Sequence, residues 1–414
     1  MANSYFSYDR RTEGDKRKKM IIFYYKKMIL GGAELLIMRL AKAMKKMGVN
    51  VCIISKSIEE ELMLQLKDND VQYCICRNPE KKITEFTKNE EHVRVITMFY
   101  VDYIRIRYLT RNVNNIKVIL YCVHMKGMIF GRPIPYPIKE SFLKISRSFI
   151  EHGIINNSIL LMDQETIERT KEYYLIQADF EINSIGLPYD FGENRGVIEN
   201  QIDCKIQNDM FNIISIARAD FPFKGYIIGL IQQFAIFNER HQESNLHIIA
   251  SGKDENKIIQ EIEKQRSSVK KHIIYYGKTM PSEMKKILSK MDVLVGMGTT
   301  LLDASSEGVL SIPVVPGYLE CLCADTFFDE NFLFSVMPKF GKNNLQKMFD
   351  DVLKMSKEDY FEKSLNSYSK AKEKFSTNQI AKILLEVEVE KNDKYIKLLN
   401  LYVLIDQIWK KFKR

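Results

Sequence analysis

No apolar run in the 414-residue chain approaches the roughly 20 residues a helix needs to cross a bilayer, so no membrane span is expected. The N-terminal stretch is polar and basic (Arg10, Arg11, Lys16, Arg17, Lys18, Lys19) and lacks the apolar segment of a secretory signal. These two absences lead to the expectation of a cytoplasmic protein. Cysteine is sparse: Cys52, Cys74, Cys76, Cys122, Cys204, Cys321 and Cys323, an odd set lying mostly in apolar, strand-like runs, read as reduced core residues. Neither Cys-x-Cys pair has the Cys-x-x-Cys spacing of common zinc sites, so no metal site is expected. There is no Gly-x-Gly-x-x-Gly fingerprint, which argues against a dinucleotide-dependent dehydrogenase. Zinc-finger spacing, aromatic RNA-binding signatures and basic helices interleaved with base-reading residues are also missing, so nucleic acid is not an expected partner.

What is present is an ordinary folding composition, 45% hydrophobic and 28% charged. The length exceeds what one growing core accommodates, so two domains are expected. A net charge of +9 favours anionic partners such as nucleotides, phosphates or a negatively charged membrane surface.

The stretch Phe211 to Tyr226 organises the chain. Ile213, Ile214 and Ile216 form a short apolar run that reads as a buried parallel strand, ending in Arg218, a polar loop, Lys224-Gly225 and a helix. Two cations at a strand's carboxyl end, beside a helix N-terminus, suit a diphosphate. Upstream, Met20 to Tyr25 reads as a strand and Ala33 to Met47 as an amphipathic helix, with Gly31, Gly32 and Glu34 between them. Glycines there allow the backbone to approach a ligand closely. Strands are expected at Val51 to Ser55, Val71 to Cys76, Val93 to Phe99, Ile116 to Val123, Ile155 to Leu161 and Ile182 to Ile185. Asp68-Asn69-Asp70 reads as a turn between helix and strand. His124 follows a strand's carboxyl end, where ligands of open α/β sheets gather, and the proline-dense loop Gly131 to Pro137 reads as a lid.

Residues 191–210 are polar and patternless and are read as a linker. The second half repeats the alternation, with strands expected at 211–217, 246–250, 272–276, 292–296 and 312–315 and helices between. There Gly298-Thr299-Thr300 opens a helix whose cap hydroxyls and free amides suit a phosphate, with Asp303 placed to accept ribose hydroxyls. From Asn343 onward the pattern is helical. The last stretch, Tyr395 to Arg414, either packs on the protein or lays its basic, aromatic end on a membrane surface.

Gly31-Gly-Ala-Glu34 with Leu40-Ala41 and Gly48-x-x-Val51, Ala217-Arg218 with Lys224-Gly225, Gly252 and Gly277 after successive strands, and Asp303-Ala304 with Gly308-Val309 together resemble the retaining glycosyltransferases of family 4. The chain departs from that pattern at Val295, where the first of two glutamates would stand, at Asp303, which replaces the second, and at Leu310, which replaces a proline. The resemblance implies the α/β GT-B fold: two Rossmann-like, doubly wound domains facing a cleft, with a helical C-terminal extension. The expected boundaries are a basic tail at 1–19, an acceptor domain at 20–190, the linker at 191–210, a nucleotide-sugar domain at 211–375 and C-terminal helices at 376–414.

It also implies transfer of a sugar from a nucleotide-diphosphate donor, a UDP-sugar, to a glycan or lipid-linked saccharide in bacterial capsule, exopolysaccharide or lipopolysaccharide assembly. No cofactor or metal enters that scheme. Arg218, Lys224 and His124 would be catalytic, and Gly31, Gly32, Gly252, Gly277, Gly298, Thr299, Thr300 and Asp303 would bind the donor. The enzyme would work in the cytoplasm, at the inner face of the membrane. The rival readings are a catalytically silent GT-B partner subunit and a sugar-nucleotide 2-epimerase, the latter lacking an evident acid and base cluster.

Overall fold

The structure is a computed structural model and describes residues 19–29, 31–86, 92–129, 138–177, 184–192, 195–206, 210–390 and 393–412. The lid expected at Gly131 to Pro137 lies outside these residues. The chain divides into two units, one running to Asp190 and resuming at Thr377, the other spanning Phe191–Ser376.

In the first unit the order is β1 (Lys19–Tyr24), α1 (Gly32–Lys46), β2 (Asn50–Ser55), α2 (Glu60–Asp68), β3 (Gln72–Ile75), α3 (Pro79–Phe86), β4 (His92–Thr97), α4 (Tyr100–Leu109), β5 (Ile116–Cys122), α5 (Ile138–Ile155), β6 (Ile159–Leu161) and α6 (Gln164–Tyr174). The strands pair in parallel in the order β3-β2-β1-β4-β5-β6, with Ile22 between Cys52 and Val95. From Met20 to Tyr24 β1 is apolar and buried, because helices cover both faces of such a sheet. α1 forms where Leu36, Leu40 and Met44 repeat, burying that stripe and leaving Lys42 and Lys46 in water, and Gly48 at φ +79° ends the helical run. The sixth strand is shorter than expected because α5 continues through Ile155 and a turn at Asn157 intervenes.

The second unit runs α7 (Arg195–Ile206), β7 (Phe211–Arg218), α8 (Tyr226–Arg240), β8 (Ser244–Ser251), α9 (Glu255–Glu263), α10 (Ser267–Lys270), β9 (Ile273–Tyr275), α11 (Pro281–Leu288), β10 (Val293–Gly296), α12 (Thr300–Ser306), β11 (Leu310–Pro313), α13 (Phe328–Asn331), α14 (Leu345–Leu353) and α15 (Lys357–Phe375). Its parallel sheet has the order β11-β10-β7-β8-β9. The expected linker is corrected here. Residues 195–206 are a helix whose Ile198 and Ile202 are buried in the second core, and the hydroxyl of Tyr368 on α15 donates to the Gly192 carbonyl at 2.9 Å.

The chain then returns to the first unit as α16 (Thr377–Glu386) and α17 (Ile396–Phe412). Ile396, Leu399 and Val403 of α17 enter the first core, and Arg107, only 3% exposed, is paired with Asp393 at 2.9 Å. No helix of the described residues is long and apolar enough to cross a membrane.

Candidate functional site

In both sheets the first and fourth strands of the unit lie side by side, so the connections on either side of that pair leave in opposite directions. Outside the carboxyl ends of the two strands this reversal opens a crevice, the usual ligand position in doubly wound folds. In the second unit the pair is β7 and β10. The β7 loop carries Arg218 and Lys224, and the β10 loop carries Gly298 and Thr299.

The β7 loop is held from below. Ala219 donates its amide to Ser251, the Asp254 amide donates back to Ala219, and the Phe221 amide donates to the Asp254 carboxylate at 2.8 Å. Gly252 at φ +148° permits this, since a Cβ there would lie 2.6 Å from the Ala219 carbonyl oxygen. Gly252 therefore builds the loop rather than requiring a ligand. Arg218, 79% exposed along its side chain, lies 3.5 Å from Asp220, which Lys253 also meets at 2.6 Å. Lys224 is half-buried over the Phe223 ring, and no carboxylate among the described residues pairs with it. Burial, and then the charge of Arg218, lower its pKa to about 8. A partly desolvated ammonium beside a guanidinium is an incomplete electrostatic arrangement, and an anion completes it.

The β10 loop differs from expectation. Thr299 precedes α12 with φ −64° and ψ −21°, helical values that turn its side chain away from the capping position, and the Thr300 hydroxyl donates to the Met297 carbonyl at 3.1 Å. Neither threonine caps the helix, and the Gly298 amide is spent on Phe334. Asp303 is half-buried in the first turn. Gly277, at φ +62°, shapes the turn after β9, an edge strand two places from β7. Val295 lies fully buried within β10, beside Ile312 of β11, where a carboxylate would enter the core.

Sequence reasoning missed Lys253 and Gly229 here. Lys253 joins Arg218 on Asp220, and its signal was a Gly-Lys pair directly after a strand. Gly225 and Gly229 let the segment Gly317–Cys321 close on the first turn of α8: a Cβ at Gly229 would lie 2.3 Å from the Cys321 nitrogen, and the Gly317 amide donates to Phe223. Two glycines four residues apart in a helical turn are costly unless something approaches closely, and that was the readable signal.

In the first unit the crevice lies between β1 and β4, and the rings of Tyr25 and Phe99 meet across it with centroids 5.4 Å apart. The Glu34 carboxylate folds back on Gly31, where a Cβ would fall 2.8 Å from Glu34 Oε2, the movable end of a flexible side chain, so the fold itself does not demand glycine there. Around Gly32 there is open space, and no side chain caps α1. His124 begins a 3-10 turn, with Nδ1 accepting from the Lys126 amide at 3.0 Å. In the neutral ring that bond places the proton on Nε2, which is left to donate. Partial enclosure, and then the Lys126 charge, lower its pKa. Gly127 presses this turn onto the end of β4, where a Cβ would lie 2.5 Å from the Met98 carbonyl.

Acidic residues at the same edge escaped sequence reading. Glu80 is buried, accepts from the Tyr24 hydroxyl at 3.1 Å and meets Arg105 at 3.5 Å. Asp102, 7% exposed, has its pKa raised to about 6 by burial, with Lys26 the largest opposing influence.

No protein-family model and no curated protein matches the chain. Solved structures do. A glycosyltransferase from Rickettsia africae is similar at 18% identity over 90% of this chain and 98% of that one, with a TM-score of 0.62. The Anabaena protein HepE, in complex with UDP and glucose, is similar at 12% identity over 89% of this chain and 98% of its own, TM-score 0.54. Sucrose-phosphate synthase from Thermosynechococcus elongatus gives 12% identity, the same two coverages of 89% and 98%, and a TM-score of 0.54. At these identities the likeness shows the fold, which is GT-B.

Proposed function

We propose that the protein is a glycosyltransferase, moving a sugar from a nucleotide-diphosphate donor to a glycan or lipid-linked saccharide with retention of configuration. The single observation that carries this reading is Lys224: a half-buried cation without a carboxylate partner among the described residues, beside Arg218, at the crevice of a doubly wound sheet. Similarity in fold to a protein solved with UDP and glucose supports UDP as the nucleotide. The second unit would hold the donor. As the sugar leaves, negative charge grows on the β-phosphate oxygens, and Lys224 and Arg218 stabilise it in place of water. Gly298, Thr299, Thr300 and Asp303 would line the nucleotide, and Gly252 and Gly277 would shape the loops. No step in this scheme is routed through a metal. The first unit would hold the acceptor, with Gly31 and Gly32 at its open helix end and His124 Nε2 donating to the transferring sugar. Cell-surface polysaccharide assembly at the cytoplasmic face of a bacterial membrane is the proposed setting.

Lys224→Ala should fold, melting no lower than wild type, and turn over donor at least about a hundredfold more slowly, a loss typical of one electrostatic contact. An unchanged rate would remove Lys224 from the mechanism. A second reading, a catalytically silent partner subunit, is favoured by one observation: Val295 is buried within a strand where the resembled family places a glutamate. Nucleotide binding without donor consumption, across a panel of saccharide acceptors, would select it.

A further inference from the structure

α17 has two apolar faces. Ile396, Leu399 and Val403 are buried in the first unit's core, while Leu398, Leu401, Leu404 and Ile405 are 40%, 50%, 39% and 39% exposed. Leu398, Leu401 and Ile405 follow a three-and-four spacing that sets them on the side opposite the buried stripe. The sequence continues that spacing through Ile408 and Phe412. Beside the first turn of α17 lies a recess of about 520 Å³ whose lining includes Arg111, Lys394 and Lys397. Asp393, its one acidic lining residue, is engaged by Arg107 at 2.9 Å. Arg111 is braced on the rim, donating to the Tyr108 carbonyl at 2.7 Å with its guanidinium 4.2 Å from the Tyr108 ring centroid. α4, on which α17 packs, ends nearby in Leu109, itself 39% exposed.

We propose that this face docks on a bilayer carrying anionic lipid, the recess receiving a phosphate-bearing headgroup and the leucine stripe entering the headgroup boundary. Charge and shape choose this occupant over a protein. The helix lies flat against its unit, its outer face is apolar, and from Lys397 to Ile405 the sequence contains no acidic residue. Cations flank the stripe at its start, and Lys410, Lys411, Lys413 and Arg414 follow at the end of the chain. An apolar stripe bordered by cations is the pattern of an interfacial amphipathic helix. The inference does not depend on the donor reading, and its test uses no nucleotide.

The test is co-sedimentation of the full-length protein with phosphatidylcholine vesicles, with and without phosphatidylserine, at low and high salt. The protein should bind the anionic vesicles, and high salt should weaken that binding. Each cation near an anionic surface contributes about fivefold to partitioning, so Lys394→Ala/Lys397→Ala should bind roughly 25-fold less well. Leu401→Ser/Ile405→Ser should lose binding while keeping the wild-type melting temperature, because both side chains are already exposed. Absence of binding, or equal binding to neutral and anionic vesicles, would overturn the proposal. So would concentration-dependent self-association in ultracentrifugation that the leucine substitutions abolish, since a second copy would then cover the stripe.

Discussion

At Lys224, burial and a neighbouring guanidinium act in the same direction, and both make the free ammonium easier to deprotonate. Its pKa of about 8 lies below the ordinary 10.5, so between those values the unfolded chain holds a proton that the folded chain has released. Stability contributed by this group therefore rises as pH increases through 8. A bound diphosphate reverses the balance by favouring the charged form. Binding of UDP at pH 8 is expected to take up a fraction of a proton, seen as a dependence of calorimetric enthalpy on the ionisation enthalpy of the buffer. Lys224→Arg, which stays protonated, should remove that dependence. Asp102 offers the opposite sign. Its carboxyl, raised to about 6 from 3.8, binds a proton in the folded state that the unfolded state lacks between those values, so stability falls as pH rises across that window. Asp102→Asn should be more stable than wild type at pH 7, by up to about 3 kcal/mol, and the gain should vanish below pH 4 in denaturant titrations.

Among the elements, the β7 and β8 loops act as one body because Gly252 lets their backbones meet. Gly252→Ala is expected to cost about 1–3 kcal/mol and to weaken diphosphate binding, by displacing the turn that aims Lys224. Gly277→Ala should cost about 1 kcal/mol and leave binding unchanged, since a Cβ there meets nothing closer than 3.7 Å. Denaturant midpoints and UDP titrations on the two variants separate these roles. The same loops show what the sequence reveals. Arg218 and Lys224 stood out because a short apolar run, Ile213, Ile214 and Ile216, ends abruptly in charge. The idle cap at Thr299 did not, because a threonine before a helix looks the same whether its φ and ψ are extended or helical. α7 was missed for a related reason: Ile198 and Ile202 form too thin a stripe in a polar stretch to mark a helix until a neighbouring core covers them. Asp102 and Glu80 gave no signal, because burial of a carboxylate leaves no mark in local sequence.

At the scale of the whole molecule, alternation of apolar runs with amphipathic segments made two doubly wound units legible, and each sheet order places a crevice beside the expected cations or glycines. The path of the tail was not legible, because an amphipathic helix declares that it packs without declaring on what. Its return to the first unit makes α17 part of that core and gives buried Arg107 its carboxylate at 2.9 Å. Deleting residues 377–414 is expected to lower the melting of the first unit sharply, since Ile396, Leu399 and Val403 leave its core and each lost buried aliphatic side chain costs about 2–5 kcal/mol. Calorimetry should show one transition shifted down and the transition of Phe191–Ser376 retained; two unmoved transitions would make the tail an appendage.

The most direct measurement is calorimetric titration of the purified protein with UDP, GDP, ADP and CMP, repeated on Lys224→Ala and Arg218→Ala. A donor site at the β7 and β10 crevice requires one nucleoside diphosphate to bind the wild-type protein and to be lost or greatly weakened in both variants, each melting no lower than wild type does. Binding that survives both substitutions would place the nucleotide elsewhere, and the absence of binding to any of the four would contradict a nucleotide-sugar donor site.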